Sequence, residues 1–216
     1  MHFRDKITRM FRRVRISGLM NYIVATMAIF YILDLFLASR GFDSYSLFGF
    51  SRSMILSGQI WRIITFIALP PNSSILWIVF SLFFYWLIGT TLENSWGRAE
   101  FFSYYLVGTV LTIIGGFITG YTYNYYLNYS LFFAYATLFP RQQFRIYFII
   151  PITAKAMGIA VAVLMAIAFV LGDFSAKVSI LMAAINYLIF FGPEIITPII
   201  NRIKHREFRS VMKKRK

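Results

Sequence analysis

The amino-acid sequence predicts an all-α protein that crosses a membrane several times as one domain. Hydrophobic residues fill 59% of the 216 positions and charged residues only 14%. That leaves too little polar surface to coat a soluble body of this size. The apolar residues fall in runs long enough for a helix to cross a bilayer, which takes about 18 or more. The net charge is +14, and it collects at the two ends of the chain beside these runs. Basic ends flanking apolar spans suit anionic lipid headgroups, so lipid rather than nucleic acid is the expected partner. Cysteine is absent, which excludes disulfides, thiolate catalysis and cysteine zinc sites.

Residues 1–17 place Phe3, Ile7, Met10, Phe11 and Val14 at helical spacing between arginines and lysines. This is a basic amphipathic segment suited to a cytoplasmic membrane surface. A positive flank that only orients the first span has the same composition. The apolar run that follows is long enough to span and carries no small-residue cleavage motif, so no signal peptide is expected.

The membrane domain is expected over residues 18–197. Span 1 covers 19–38, with Asp34 near its outer end, where the carboxylate reaches interfacial water. Residues 39–74 are half apolar and broken by glycines. They are expected as a membrane-associated loop between the first two helices. Trp61 and Arg62 suit the headgroup level there, Arg62 by snorkelling to phosphate. Span 2 covers 75–91 and span 3 covers 100–120. Gly116 and Gly120 in span 3 have the spacing of a close helix contact. Residues 121–130 hold five tyrosines, an aromatic belt or a stacking platform. Span 4, over 126–139, is short and stops at Pro140-Arg141. Span 5 covers 152–171 and is rich in small residues. Span 6 covers 178–196 and contains Asn186. A basic cytoplasmic tail occupies 198–216.

Six spans put both ends on one side. On that topology 18 of the 22 lysines and arginines lie on the side of the ends. The excess places both termini in the cytoplasm.

The segment from 58 to 97 carries a more specific signal. Trp61-Arg62 precedes a Pro70-Pro71 break, then a long apolar run closing with Gly89, Glu93 and Gly97. In order and spacing this resembles the front half of the rhomboid family of intramembrane proteases. The connection Leu138-Phe139-Pro140-Arg141 and then Phe148 to Ile152 is similar to rhomboids and derlins. The resemblance extends over about residues 18–196. It implies a six-helix rhomboid-like bundle with a partly embedded first loop. It makes Trp61, Arg62, Gly89, Glu93 and Gly97 the family's scaffold motif. Glu93 is expected to brace the backbone of the turn at Ser95 to Gly97.

The resemblance also says what catalysis would need: a serine in Gly-x-Ser-Gly at the start of span 4, a histidine on span 6, and His and Asn on span 2. A hydroxyl is a poor nucleophile until a base takes its proton. The two histidines here, His2 and His205, lie at the cytoplasmic ends. Trp77 and Ser81 stand at the positions of the span 2 oxyanion residues. Ser130, in Asn128-Tyr129-Ser130-Leu131, is the nearest serine to the nucleophile position. Counting back from the Leu-Phe-Pro end reaches Tyr125 instead. The expectation is a multi-pass pseudoprotease of a prokaryotic plasma (inner) membrane. It would be a non-enzyme that binds transmembrane or membrane-associated client segments, with no cofactor and no metal. An active rhomboid-type protease with displaced residues and a membrane component of a transporter are the alternatives.

Overall fold

The computed structural model describes residues 3–11, 17–71, 74–146 and 150–192. The expectations for His2, Val14, Phe148, His205, the last turn of span 6 and the tail at 198–216 lie outside the described residues.

The architecture is helical throughout its membrane part, as composition implies. Helix α1 (Phe3–Phe11) is followed by α2 (Leu19–Ala38). The next segment holds α3 (Ser44–Phe48), the two-residue strand β1 (Phe50–Ser51), α4 (Arg52–Leu56) and α5 (Arg62–Thr65), then a 3₁₀ turn over Phe66–Ala68. Helices α6 (Ile75–Trp96) and α7 (Arg98–Thr119) come next, then β2 (Tyr121–Thr122) and α8 (Tyr125–Leu138). A hairpin of β3 (Gln143–Ile146) and β4 (Ile150–Thr153) leads into α9 (Ala154–Leu171) and α10 (Phe174–Gly192).

Among the described residues five helices are long and apolar enough to cross a membrane: α2, α6, α7, α9 and α10. The expected fourth span differs from them. Helix α8 has 14 residues, so it is about 21 Å long against the roughly 30 Å of a hydrocarbon core. It stops early because Pro140 follows Phe139 and the hairpin takes over. Its position offsets its length. Leu127, Leu131, Phe132, Ala134 and Tyr135 are all buried, and α6, α7 and α9 pack around it.

The helices alternate in direction, and their ends gather at two faces. At one face the Gly18 amide meets Glu93, Phe11 packs on Phe102, and Trp96 packs on Phe191. At the other, the loop face, Asp34 accepts from the Ser44 amide and Tyr121 donates to Asp173. The start of α2 and the end of α10 therefore share a face. Asp34 is half-buried at the loop face, and its carboxylate also accepts from the first turn of α3, as a helix N-terminus with free N–H groups favours.

Residues 39–71 fold into a compact cap instead of an irregular loop. Phe50 enters a T-shaped cluster with Phe66 and Phe117, and β1 pairs with β2. This overturns the helix-contact reading of Gly116 and Gly120. A Cβ at Gly116 would sit 2.5 Å from the Phe50 ring, so this glycine makes room for the cap. Gly120 ends α7 at φ 98°, a left-handed conformation that favours glycine. Gly115 is the residue of that group that packs on α10, against Val178 and Met182.

Candidate functional site

Gly89 lies against Met20, and a Cβ there would overlap the Met20 side chain. One turn later, Glu93 is buried and its Oε1 accepts from the Gly18 amide at 2.6 Å. Trp86 donates to Asn21 at 2.9 Å along the same seam. These three contacts bolt α6 to the start of α2. The expected brace on the Ser95–Gly97 turn is not where Glu93 points. Gly18 opens a helix with its amide unpaired, and the carboxylate meets that orphan donor instead. Gly97 alone joins α6 to α7, at φ 95°, which suits glycine.

Arg62 also departs from expectation. Its side chain is 4% exposed. Its guanidinium donates to the Gln59 side chain at 2.8 Å and to the carbonyls of Gly49 at 2.8 Å and Ser46 at 2.7 Å. A planar fork with five donors satisfies several carbonyls of a tight loop at once, which outweighs a single phosphate contact. Trp61 stays half exposed, as expected at an interface, with its indole N–H toward the Leu47 carbonyl.

Ser130 faces α10. Its hydroxyl donates to the Leu127 carbonyl at 2.9 Å and accepts from the Asn186 amide at 3.3 Å, and the residue is 0% exposed. Tyr104 donates to the Ser130 carbonyl at 2.7 Å. The partner on α10 is thus a carboxamide, which does not take up a proton at ordinary pH. Gly108 permits this crossing, since a Cβ there would meet Leu127 at 2.5 Å and Asn186 at 2.7 Å. Tyr125, the other position counted for the serine, stacks on Tyr123 in the tyrosine cluster.

Beside this node lies an open cleft of about 190 Å³ between α6 and α9, with α8 as its floor. Phe80, Phe84 and Ile88 of α6 face Met157 and Val161 of α9, and Phe132 closes the base. Four polar side chains interrupt the apolar wall: Ser81, Tyr85, Asn128 and Tyr129. Of the two oxyanion positions only Ser81 lines the cleft. Trp77 is 56% exposed and packs edge-on against Phe80, outside it. Asn128 is the residue the sequence reading passed over. It is 5% exposed, with the Tyr85 hydroxyl as its polar neighbour, and among the described residues neither atom of its amide completes a well-formed hydrogen bond. A polar residue one turn into an apolar helix is the signal that marks it.

The chain matches no protein-family model and no curated protein sequence.

Proposed function

We propose that this chain is a rhomboid-like membrane pseudoprotease that binds transmembrane segments of client proteins in the cleft between α6 and α9. One observation carries the reading. The cleft is open and mostly apolar, yet polar side chains interrupt its walls. Lipid chains need no such groups, whereas a peptide segment carries groups that use them. Helix α8, short and central, stands as the fourth helix of a six-helix bundle.

The absence of turnover is part of the proposal. It rests on Asn186 beside Ser130 and on Ser130 being sealed from the cleft by packing. Both termini are assigned to the cytoplasm of a prokaryote on the basic-residue asymmetry, with the loop face outside.

Photocrosslinking tests the reading. A photoreactive residue replaces Phe80, Val161 or, as a control on a remote surface, Ile118. A single-span reporter helix is co-expressed. Adducts at positions 80 and 161 well above those at 118 are expected. Equal adducts at all three positions refute the cleft as a client site. Single cysteines near residues 40 and 177 should label from outside, and labelling only from the cytoplasm would reverse the orientation.

A further inference from the structure

A second open cleft, of about 410 Å³, lies between α8, α9 and α10. It shares no lining residue with the cleft that faces α6. Small residues leave the space: Ala136 of α8, Gly158 and Ala162 of α9, and Ala184 of α10. At its deep end Met165 joins Ile180 and Ala183 in one packed cluster. At its mouth stands Lys155, the second residue of α9. The mouth is on the Glu93 face, since α9 runs from there to the Asp173 turn at the loop face.

Polar groups divide by depth. The Thr137 hydroxyl donates to the Phe133 carbonyl at 2.9 Å, so it accepts from the Tyr187 hydroxyl at 2.6 Å. Each hydroxyl has one hydrogen, and both are bonded within the wall. The shaft is therefore apolar or satisfied. The mouth is not. Lys155 is the charged group of the lining, and no carboxylate lines the cleft among the described residues. The Lys155 amide donates to the Pro140 carbonyl at 3.3 Å, which brings the exposed Arg141 to the same end.

We infer that this cleft holds one anionic phospholipid, with its phosphate at Lys155 and Arg141 and an acyl chain along Gly158 and Ala162. The inference does not depend on the client-binding reading. Depth separates a lipid from a helix. Lys155 to Met165 is ten residues of helix, about 15 Å, or half of a hydrocarbon core of about 30 Å. A spanning helix must follow its groove across the whole core, and the Met165 cluster closes this one at half depth. A chain from one leaflet ends there. Charge sets the choice of lipid. Lipid tails are as apolar as the wall, so the chain alone gains little by leaving the bilayer. The two cations supply the preference, each by a factor of about five for an anionic headgroup.

The test uses the full-length protein in phosphatidylcholine vesicles. A trace of phosphatidylglycerol with a photoreactive acyl chain is added, or phosphatidylcholine with the same chain. Adducts are mapped by mass spectrometry. Those on residues 158–162 and Tyr187 should be about five- to tenfold more abundant with phosphatidylglycerol. Lys155→Gln should lower them about fivefold. Ala162→Phe, which fills the shaft and leaves both cations, should abolish them. Both substitutions are at exposed positions, so the fold should hold. Equal yields from the two lipids, or no adducts from either, overturn the inference. So do undiminished phosphatidylglycerol adducts in Ala162→Phe, which would mean attraction to a basic surface without a seat in the cleft. The comparison of the two lipids on wild type decides the matter even where a variant fails to fold.

Discussion

Glu93 on α6 accepts a 2.6 Å hydrogen bond from the backbone amide of Gly18, a residue 75 positions earlier. Its second oxygen, Oε2, is buried without a hydrogen-bond partner among the described residues. One carboxylate thus closes the first helix of the membrane body onto the second. Glu93→Leu leaves the part-buried Gly18 N–H without its acceptor, so it should lower stability by about 1–3 kcal/mol. Glu93→Gln keeps an acceptor and should lose less. Thermal unfolding in detergent measures both, and equal losses would show that charge rather than the acceptor matters.

Gly89→Val should destabilise by a similar amount, about 1–3 kcal/mol, through overpacking against Met20. A Cβ at Gly89 lies 2.8 Å from the Met20 Cβ, near the root of that side chain, where rotation gives little relief. Met20→Ala in the same chain should restore part of the loss. Strict additivity of the two changes would place the strain elsewhere.

Arg62→Lys is expected to behave as a disruptive change. One ammonium cannot serve Gln59, Gly49 and Ser46 with the fork geometry the guanidinium provides. The 39–71 cap should become the most protease-sensitive part of the protein. Limited proteolysis followed by mass spectrometry reads this directly, and unchanged cleavage there would refute the role given to Arg62.

Ser130 should not label with a fluorophosphonate, and a co-expressed single-span reporter should stay intact. Its hydroxyl proton is held by Leu127, and its neighbour Asn186 is no base. Labelling or cleavage by wild type that Ser130→Ala abolishes would make Ser130 a nucleophile and end the pseudoprotease reading.

The Tyr121–Asp173 link at the loop face should titrate. The Tyr121 hydroxyl, and after it the Ala176 amide, hold the Asp173 carboxyl below its usual range. A carboxylate with a lowered folded-state pKa stabilises above its unfolded value, about 3.9, and loses that contribution as pH falls through the folded value. Wild type should therefore exceed Asp173→Asn in thermal stability at neutral pH and converge with it below about pH 4. A constant offset from pH 3 to 7 would exclude the link as its source.

Much of the helical plan could be read from the chain because hydrophobic length is a strong signal in a membrane setting. Span 1 was expected over 19–38 and α2 occupies Leu19–Ala38. Spans 2 and 3 were read short by five and two residues at the ends where α6 meets α7, where Glu93, Asn94 and Arg98 look like loop but remain helical. The cap over 39–71 was not legible. Its order depends on Arg62 gathering carbonyls from residues 13 and 16 positions away, which composition does not encode. The direction of Glu93 was missed for the same reason: its partner is a backbone amide, which any residue but proline at position 18 would have supplied. Ser81 stood out only as an aligned oxyanion position, and Asn128 looked ordinary. Only the packing of α6, α8 and α9 brings them to one wall.

The shortness of α8 has a consequence for the surrounding bilayer. Asn124, just before its first turn, is buried and hangs from the carbonyls of Ile67 and Leu69, each at 2.9 Å. The cap therefore occupies the depth that a longer helix would have filled. In that sector the apolar thickness is set by folded protein and not by acyl chains. Helices α2 and α6, with exposed flanks such as Phe36, Leu76 and Phe83, must match whatever lipid they meet. Moving the protein into a thicker or thinner bilayer should tilt those two while leaving α8 in unchanged surroundings. The molecule thus has a lipid-responsive side and a thickness-insensitive one, joined along the seam where Glu93 meets Gly18.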